Sequence, residues 1–118
     1  MTDYGNRRKE SRKSIVSFTL VHDAQSGKLL GYLRDLTLSG AQINGSKSLS
    51  VGTEVVLSIS LLSDIPEVMA KEMHIGAKVQ RCVSVGEEPA SYEIGFKFID
   101  LPPEDKELIE KFLNRYQF

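Results

Sequence analysis

Three arginines stand close together near the start of the chain. Arg7 and Arg8 are adjacent, and Arg12 follows four residues after Arg8. Each guanidinium is a planar, permanently charged fork that can bind a phosphate through two parallel hydrogen bonds or lie flat on a base. Guanine, with its O6 and N7 acceptors, is the common bidentate target of arginine. The pattern suits a ligand with paired phosphates, although on charge alone a solvated basic tail is the simpler interpretation.

A short polar stretch, residues 35–40, interrupts the apolar alternation that precedes it. Asp35 can accept hydrogen bonds from a guanine N–H edge or clamp an arginine. The Thr37 hydroxyl can bind a phosphate or its own backbone, and Gly40 permits a close approach. Taken alone, this stretch is typical of an ordinary β-bulge or turn.

Alternating apolar residues elsewhere predict five or six antiparallel strands. In the strand from Val51 to Leu61, the alternation puts Val51 and Leu57 on a face directed at the core. Residues 63–70 contain Pro66 and predict a loop. The predicted strands cover residues 15–22, 28–35, 41–44, 51–61, 73–81 and 92–98.

The last segment has the period of an amphipathic helix. Pro102 and Pro103 can occupy its start, where acidic residues follow, and basic residues occur towards its end. Its apolar side chains share one face, which should pack against the sheet or a second subunit. They are Leu108, Ile109, Phe112, Leu113 and Tyr116.

Charge divides the chain into a basic arm, residues 1–13, and an acidic body, residues 14–118. The arm holds five basic and two acidic side chains, and the body ten basic and fourteen acidic ones, within a net charge of −1. A chain of 118 residues fits one compact domain. This asymmetry predicts an anionic partner that is met locally, rather than a surface that wraps nucleic acid.

The cysteine and hydropathy patterns bear on the compartment. Cys82 is the single cysteine, so no intramolecular disulfide can form and structural zinc clusters are excluded. No secretion signal and no run of about 20 apolar residues is found. We therefore expect a cytoplasmic protein with no metal, no cofactor and no membrane insertion.

In combination, the two polar motifs resemble those of the PilZ domain family. The family pattern is R-x-x-x-R with D/N-x-S-x-x-G, and here Arg8 and Arg12 match the first part and Asp35 and Gly40 the second. Strands at 79–81 and 92–98 and a terminal helix follow, so the likeness spans about residues 7–113. The resemblance implies a mainly β fold, a six-stranded antiparallel β-barrel with a C-terminal α-helix, that binds cyclic di-GMP.

The resemblance also implies which residues bind this ligand. Arg8 and Arg12 would hold phosphates and guanine edges, while Asp35, Thr37 and Gly40 would form the opposing surface. The family prefers serine where this chain has Thr37, so the hydroxyl is kept and the extra methyl group restricts its rotamers. We therefore expect binding, with an affinity that this methyl group could reduce.

Two further arginines receive roles from the resemblance. Arg7 corresponds to the residue that favours an intercalated dimer of cyclic di-GMP, and Arg81 lies where relatives often place a side chain against guanine. A solvated strand residue is an equally good interpretation of Arg81. The implied mechanism is an arm that becomes ordered over the ligand and signals to an unidentified protein, in motility or biofilm regulation.

Three alternatives remain at this level. An enzyme would need a nucleophile and base, but Cys82 is best explained as a core or half-buried residue, and His22 and His74 as surface residues. A barrel that binds single-stranded nucleic acid would need a spread basic groove, against which the acidic body argues. A PilZ-like interaction module without ligand is the third, and the retained Arg8 and Asp35 weigh against it.

Overall fold

Alternating apolar residues along six strands turn one face of each strand inward and close the sheet into a barrel. The computed structural model describes residues 19–61, 66–69, 71–87 and 90–116. Around the barrel the order is β1-β2-β3-β6-β5-β4, every pair is antiparallel, and β1 pairs with β4 to complete the ring. The elements are β1 (Leu20–Asp23), β2 (Leu29–Leu36), β3 (Gly40–Gly45), β4 (Glu54–Ile59), α1 (Pro66–Met69), β5 (Met73–Val85), β6 (Ser91–Phe98) and α2 (Pro103–Tyr116).

The inward faces of the strands form one core, to which the C-terminal helix contributes. Ile109 and Phe112 of α2 are fully buried in the same cluster as the strand residues, so the helix packs on the barrel. Pro103 is the first helical residue, where the missing N–H costs nothing, and the Pro102 carbonyl accepts the first helical hydrogen bond. The prediction of a six-stranded antiparallel barrel with a C-terminal helix is confirmed.

Val51 does not belong to the core face on which the alternation placed it. Its side chain is 65% exposed, and β4 begins only at Glu54. The cause is Gly52, which adopts a positive φ of 95° and forms a turn with its neighbours. Because the chain reverses there, Val51 precedes the strand and faces solvent.

The segment predicted as a loop between β4 and β5 contains a short helix instead. Residues Pro66–Met69 form α1, and Val68 within it is almost completely buried in the core. Pro66 suggested a break because proline cannot continue a strand. Proline is nevertheless well suited to the first position of a helix, and it occupies that position here.

The predicted basic arm, residues 1–13, lies outside the described residues. So does the first part of the strand predicted at 15–22, of which the structure describes β1 from Leu20 onwards. The assignments of Arg7, Arg8 and Arg12 therefore remain predictions from the sequence.

Candidate functional site

Residues 35–40 span the end of β2 and the start of β3, and residues 37–39 form the tight turn between the two strands, rather than a bend within one strand. The Thr37 amide donates to the Gly40 carbonyl at 2.9 Å. The Thr37 hydroxyl oxygen accepts from the amides of Ser39 and Gly40, both at 3.2 Å, and lies 3.0 Å from the Ser39 hydroxyl. This hydroxyl therefore shapes the turn through its own backbone, one of the two roles that the sequence left open.

Gly40 lies at the point where β3 meets β6 most closely. A Cβ built on Gly40 would lie 2.0 Å from the Phe96 carbonyl oxygen, a distance that no side chain tolerates. The Phe98 amide donates to the Ser39 carbonyl at 2.9 Å, which ties the turn to the same strand. Glycine is thus required for a close approach between backbones.

Two β-bulges turn charged side chains outward on either side of this junction. In β2, Arg34 is the extra residue between the paired residues Leu33 and Asp35, and in β5, Gln80 is the extra residue between Val79 and Arg81. Leu33 and Val79 are buried, so uninterrupted alternation would also point Asp35 and Arg81 inward. The bulges reverse this inward direction, so the side chains of Asp35 and Arg81 are both exposed.

As a result, four residues from four neighbouring strands form one row across the outer face of the barrel. Asp35 is paired with Gln42, Gln42 with Gly95, and Gly95 with Arg81. Neighbouring strands are about 4.8 Å apart, so the row spans roughly 14 Å. Because Gly95 has no side chain, the row contains a gap between Gln42 and Arg81.

A depression of about 360 Å³ lies over this part of the sheet. This volume falls at the lower end of the range of small-molecule sites. Arg81 is not part of the lining, but its Cβ would lie only 3.8 Å from a Cβ built on Gly95. The depression is lined by Asp35, Leu36, Thr37, Ser39, Gly40, Ala41, Gln42, Gly95, Phe96 and Lys97.

The structure thus brings Asp35, Thr37 and Gly40 together in one depression and puts Arg81 at its border. Sequence reasoning missed Gln42, Gly95 and Lys97, which also belong to the lining. A signal for Gly95 was present, since a glycine inside the most strongly alternating strand marks a bulge or a close approach of ligand or backbone. Gln42 and Lys97 carry no such signal, because their place depends on strand register.

A second polar cluster lies on another part of the outer face. Glu72 Oε2 accepts from the Ser58 hydroxyl at 2.8 Å and lies 2.6 Å from His74 Nε2. The hydrogen bond with His74, followed by that with Ser58, lowers the pKa of Glu72. Ser58 donates to a carboxylate and not to the histidine, so this cluster lacks the nucleophile–base hydrogen bond of a hydrolytic site.

The other residues considered for catalysis or metal binding are placed as follows. His74 is exposed, as expected, and His22 and Cys82 are each half-buried. Within the described ranges, no three His, Cys, Asp or Glu side chains come close enough to hold a metal ion. Among the helices of those same ranges, none has the length and apolar character needed to cross a bilayer.

The described residues thus form a closed six-stranded β-barrel with a C-terminal helix and a lined depression beside the β2–β3 turn. The family model described as PilZ domain matches residues 6–115. The chain therefore belongs to the PilZ domain family. A search of curated proteins finds no match.

Solved structures support the same fold. The chain is similar to a structure described as the PilZ domain with c-di-GMP of YcgR from Escherichia coli, with TM-score 0.62, 12% identity, and coverage of 83% of this chain and 79% of that one. It is also similar to MrkH of K. pneumonia in its apo state, with TM-score 0.61 and 19% identity. That match covers 83% of this chain but 46% of MrkH. At these low sequence identities, the similarity shows a shared fold and nothing beyond it.

Proposed function

We propose that this chain is a receptor for cyclic di-GMP, and not an enzyme. The observation that carries the proposal is the row Asp35–Gln42–Gly95–Arg81: its first three members line the depression of about 360 Å³ beside the Thr37 turn, and Arg81 lies at the border. Membership of the PilZ family supports it. So does the fold shared with the PilZ domain of YcgR, whose structure is described with c-di-GMP.

The chemistry of this row suits a guanine base. Gly95 leaves the sheet backbone open, so a flat ring can lie on the strand without meeting a side chain. At one end Asp35 can accept from the N–H edge of guanine, and at the other Arg81 can donate to its O6 and N7 or stack on the ring. Gln42, with one acceptor and two donors, lies between Asp35 and the gap.

The phosphates of the ligand require fixed positive charge, which the proposal assigns to Arg8 and Arg12. Paired guanidinium forks can each hold a phosphate bidentately, and Arg7 next to them would favour a second, intercalated ligand. Arginines that close over the ligand would order the arm against the barrel, and an unidentified downstream protein would read that change. A cytoplasmic location and a role in motility or biofilm regulation belong to the same proposal.

Substitutions at Gly95 test whether the ligand lies on this row. A Cβ at Gly95 meets only the Arg81 Cβ, at an ordinary 3.8 Å, so both Gly95→Ala and Gly95→Val should fold. Valine also suits an outward strand position. We expect calorimetric titration with cyclic di-GMP to show slightly weaker binding for Gly95→Ala and roughly tenfold or greater loss for Gly95→Val, about 1.4 kcal/mol or more.

The control is the exposed Lys47→Ala, away from the depression, which should bind as the unaltered chain does. Binding unchanged in a folded Gly95→Val variant would show that the ligand does not use this row. If the unaltered chain failed to bind cyclic di-GMP at all, the ligand-independent interaction module would become the better explanation.

A further inference from the structure

Two lysines face each other directly on the outer surface beside the depression. Lys97 of β6 is paired with Lys78 of β5, and both side chains are exposed. Lys97 lines the depression and is also paired with Gly40 on its other side. Arg81 follows Lys78 on the same strand and is turned outward by the bulge at Gln80. Three cations thus lie on neighbouring outward positions of two strands.

Within the described residues, none of these three cations forms an ion pair with a carboxylate at 4.0 Å or less. Elsewhere on the surface, Arg34 lies 3.6 Å from Glu93 and Lys71 lies 3.6 Å from Glu104. Lys78 is also paired in register with Glu54 of β4, yet the two side chains form no ion pair within 4.0 Å in this described part of the barrel. The cluster is therefore a local excess of positive charge on an acidic body.

Such a pair disfavours the folded barrel, because like charges directly opposite each other on neighbouring strands repel. Lysines often protect the edge strands of open sheets from aggregation. That explanation does not apply here, because both strands lie inside a closed barrel with neighbours on either side. A bound anion between the two ammonium groups would remove the repulsion.

We propose that Lys97 and Lys78 form an anion subsite that binds a phosphodiester group of the ligand held in the depression. This inference rests on the proposed function and extends it to two residues outside the arginine motif. Lys97 lies two residues from Gly95 along β6, roughly 7 Å away, and Lys78 lies about 5 Å further across the sheet. A ligand whose base lies over Gly95 can therefore direct its phosphate to Lys97.

The ammonium group of lysine suits this task. It is a compact point charge with three donors on a flexible stem, and it binds phosphate without the planar geometry that arginine imposes. The two lysine side chains can approach the same phosphate from either side, while Arg81 remains available to contact the base. The subsite would thus add positive charge on the barrel to that which the proposed function assigns to Arg8 and Arg12.

The test compares Lys97→Gln and Lys78→Gln with Lys47→Gln, a matched exposed lysine in the loop after β3. We expect each of the first two variants to weaken cyclic di-GMP binding by roughly three- to tenfold and to reduce the dependence of log Kd on log salt concentration. The melting temperature of Lys97→Gln without ligand should rise by about 1–4 °C, because its repulsion with Lys78 is removed. Lys78→Gln also loses the charge opposite Glu54, so its melting temperature should change less. Lys47→Gln should change none of these quantities.

A second probe separates failure of the subsite from failure of the proposed function. Pyrophosphate is titrated into the full chain, and the backbone amides of Lys78 and Lys97 are followed by NMR. If pyrophosphate changes the chemical shifts of these two amides, and the changes vanish in Lys97→Gln, the subsite is supported even if cyclic di-GMP does not bind. If cyclic di-GMP binds equally to Lys97→Gln and the unaltered chain, with the same salt dependence, the subsite is wrong while the proposed function stands.

Discussion

At the scale of single residues, the motif from Asp35 to Gly40 combines residues that shape the turn with Asp35, which the proposed function assigns to the ligand. The Thr37 hydroxyl accepts from two backbone amides of its own turn, and Gly40 permits the contact with β6. Asp35 is an exposed member of the outward row. Threonine can therefore replace the serine of the family pattern, because the hydroxyl is needed for the turn and the added methyl group belongs to an exposed residue.

Substitution of Thr37 distinguishes the hydroxyl from the methyl group. We expect Thr37→Ser to keep both stability and cyclic di-GMP affinity within about twofold. Thr37→Val keeps the shape but removes the acceptor for the Ser39 and Gly40 amides, so unfolding free energy should fall by about 1 kcal/mol and binding should weaken. Urea denaturation and calorimetry measure the two effects. Equal stability of the valine variant and the unaltered chain would refute the turn role.

Two glycines in the depression should respond oppositely to alanine. Gly40→Ala puts a methyl group against the Phe96 carbonyl and should lower unfolding free energy by about 2 kcal/mol or more. Gly95→Ala makes only an ordinary contact and should leave stability unchanged or slightly raised. Thermal unfolding followed by circular dichroism measures both. A stable Gly40→Ala variant would contradict the close approach of β3 and β6.

Part of this site could be predicted from the sequence, and the reason for the rest is strand register. Asp35, Thr37 and Gly40 are close in sequence, so one turn brings them together. Gln42 and Lys97 reach the depression only because β3 pairs with β6, a neighbour that is distant along the chain. A shift of one residue would turn either side chain inward, and nothing local fixes that choice.

At the scale of secondary-structure elements, the bulges and helix starts explain most differences from the sequence pattern. Alternation predicted the strands well where it was uninterrupted, as in β6. It failed at Val51, because a turn at Gly52 ends the pattern, and it could not foresee the bulges at Arg34 and Gln80. A bulge adds one residue without a compositional signal, so the outward direction of Asp35 and Arg81 is known only from the structure.

The first turn of α2 carries a buried acid that should affect stability. Asp105 is 4% exposed, and its Oδ1 has no hydrogen-bond partner among the described residues. Burial raises the pKa of this carboxyl, and the charge of Lys71 opposes that effect only in part. Because the folded chain holds this proton more tightly than the unfolded chain, stability should fall as pH rises from about 4 through the raised pKa.

Asp105→Asn tests this effect. The variant should be more stable than the unaltered chain at pH 7, by about 1 kcal/mol, because no ionised carboxyl is then buried. At a pH below 4 the two chains should differ little. Urea denaturation between pH 3 and pH 8 measures the difference, and a variant that is less stable at every pH would contradict the burial argument.

At the scale of the whole molecule, closure of the barrel and the distribution of charge set what the surface can bind. The closed ring leaves no free edge among the described strands, so a partner cannot bind there by adding a strand to the sheet. Among the described strands, Lys78, Arg81 and Lys97 come together beside the depression, on a body with fourteen acidic and ten basic residues. The excess of acidic residues in the body was evident from the sequence, but the basic cluster on it was not, because that cluster depends on the pairing of β5 with β6.

A comparison of two nucleotide ligands tests this charge distribution. At moderate salt we expect cyclic di-GMP to bind much more tightly than a mixed single-stranded oligonucleotide, because the acidic body repels a long polyanion. Fluorescence anisotropy of labelled ligands measures both affinities. Tighter binding of the longer polymer would instead indicate a nucleic-acid groove.

The most direct measurement is a calorimetric titration of cyclic di-GMP into the unaltered chain and into Arg8→Ala and Arg12→Ala. We expect saturable binding to the unaltered chain, with two ligands per chain if Arg7 favours the intercalated dimer. The heat of binding should disappear in both variants, while their melting temperatures stay nearly unchanged. The reason is that these guanidinium groups are proposed to contact the ligand and not the core of the barrel. Undiminished binding in the two variants, or no binding to the unaltered chain, would contradict the proposed receptor function.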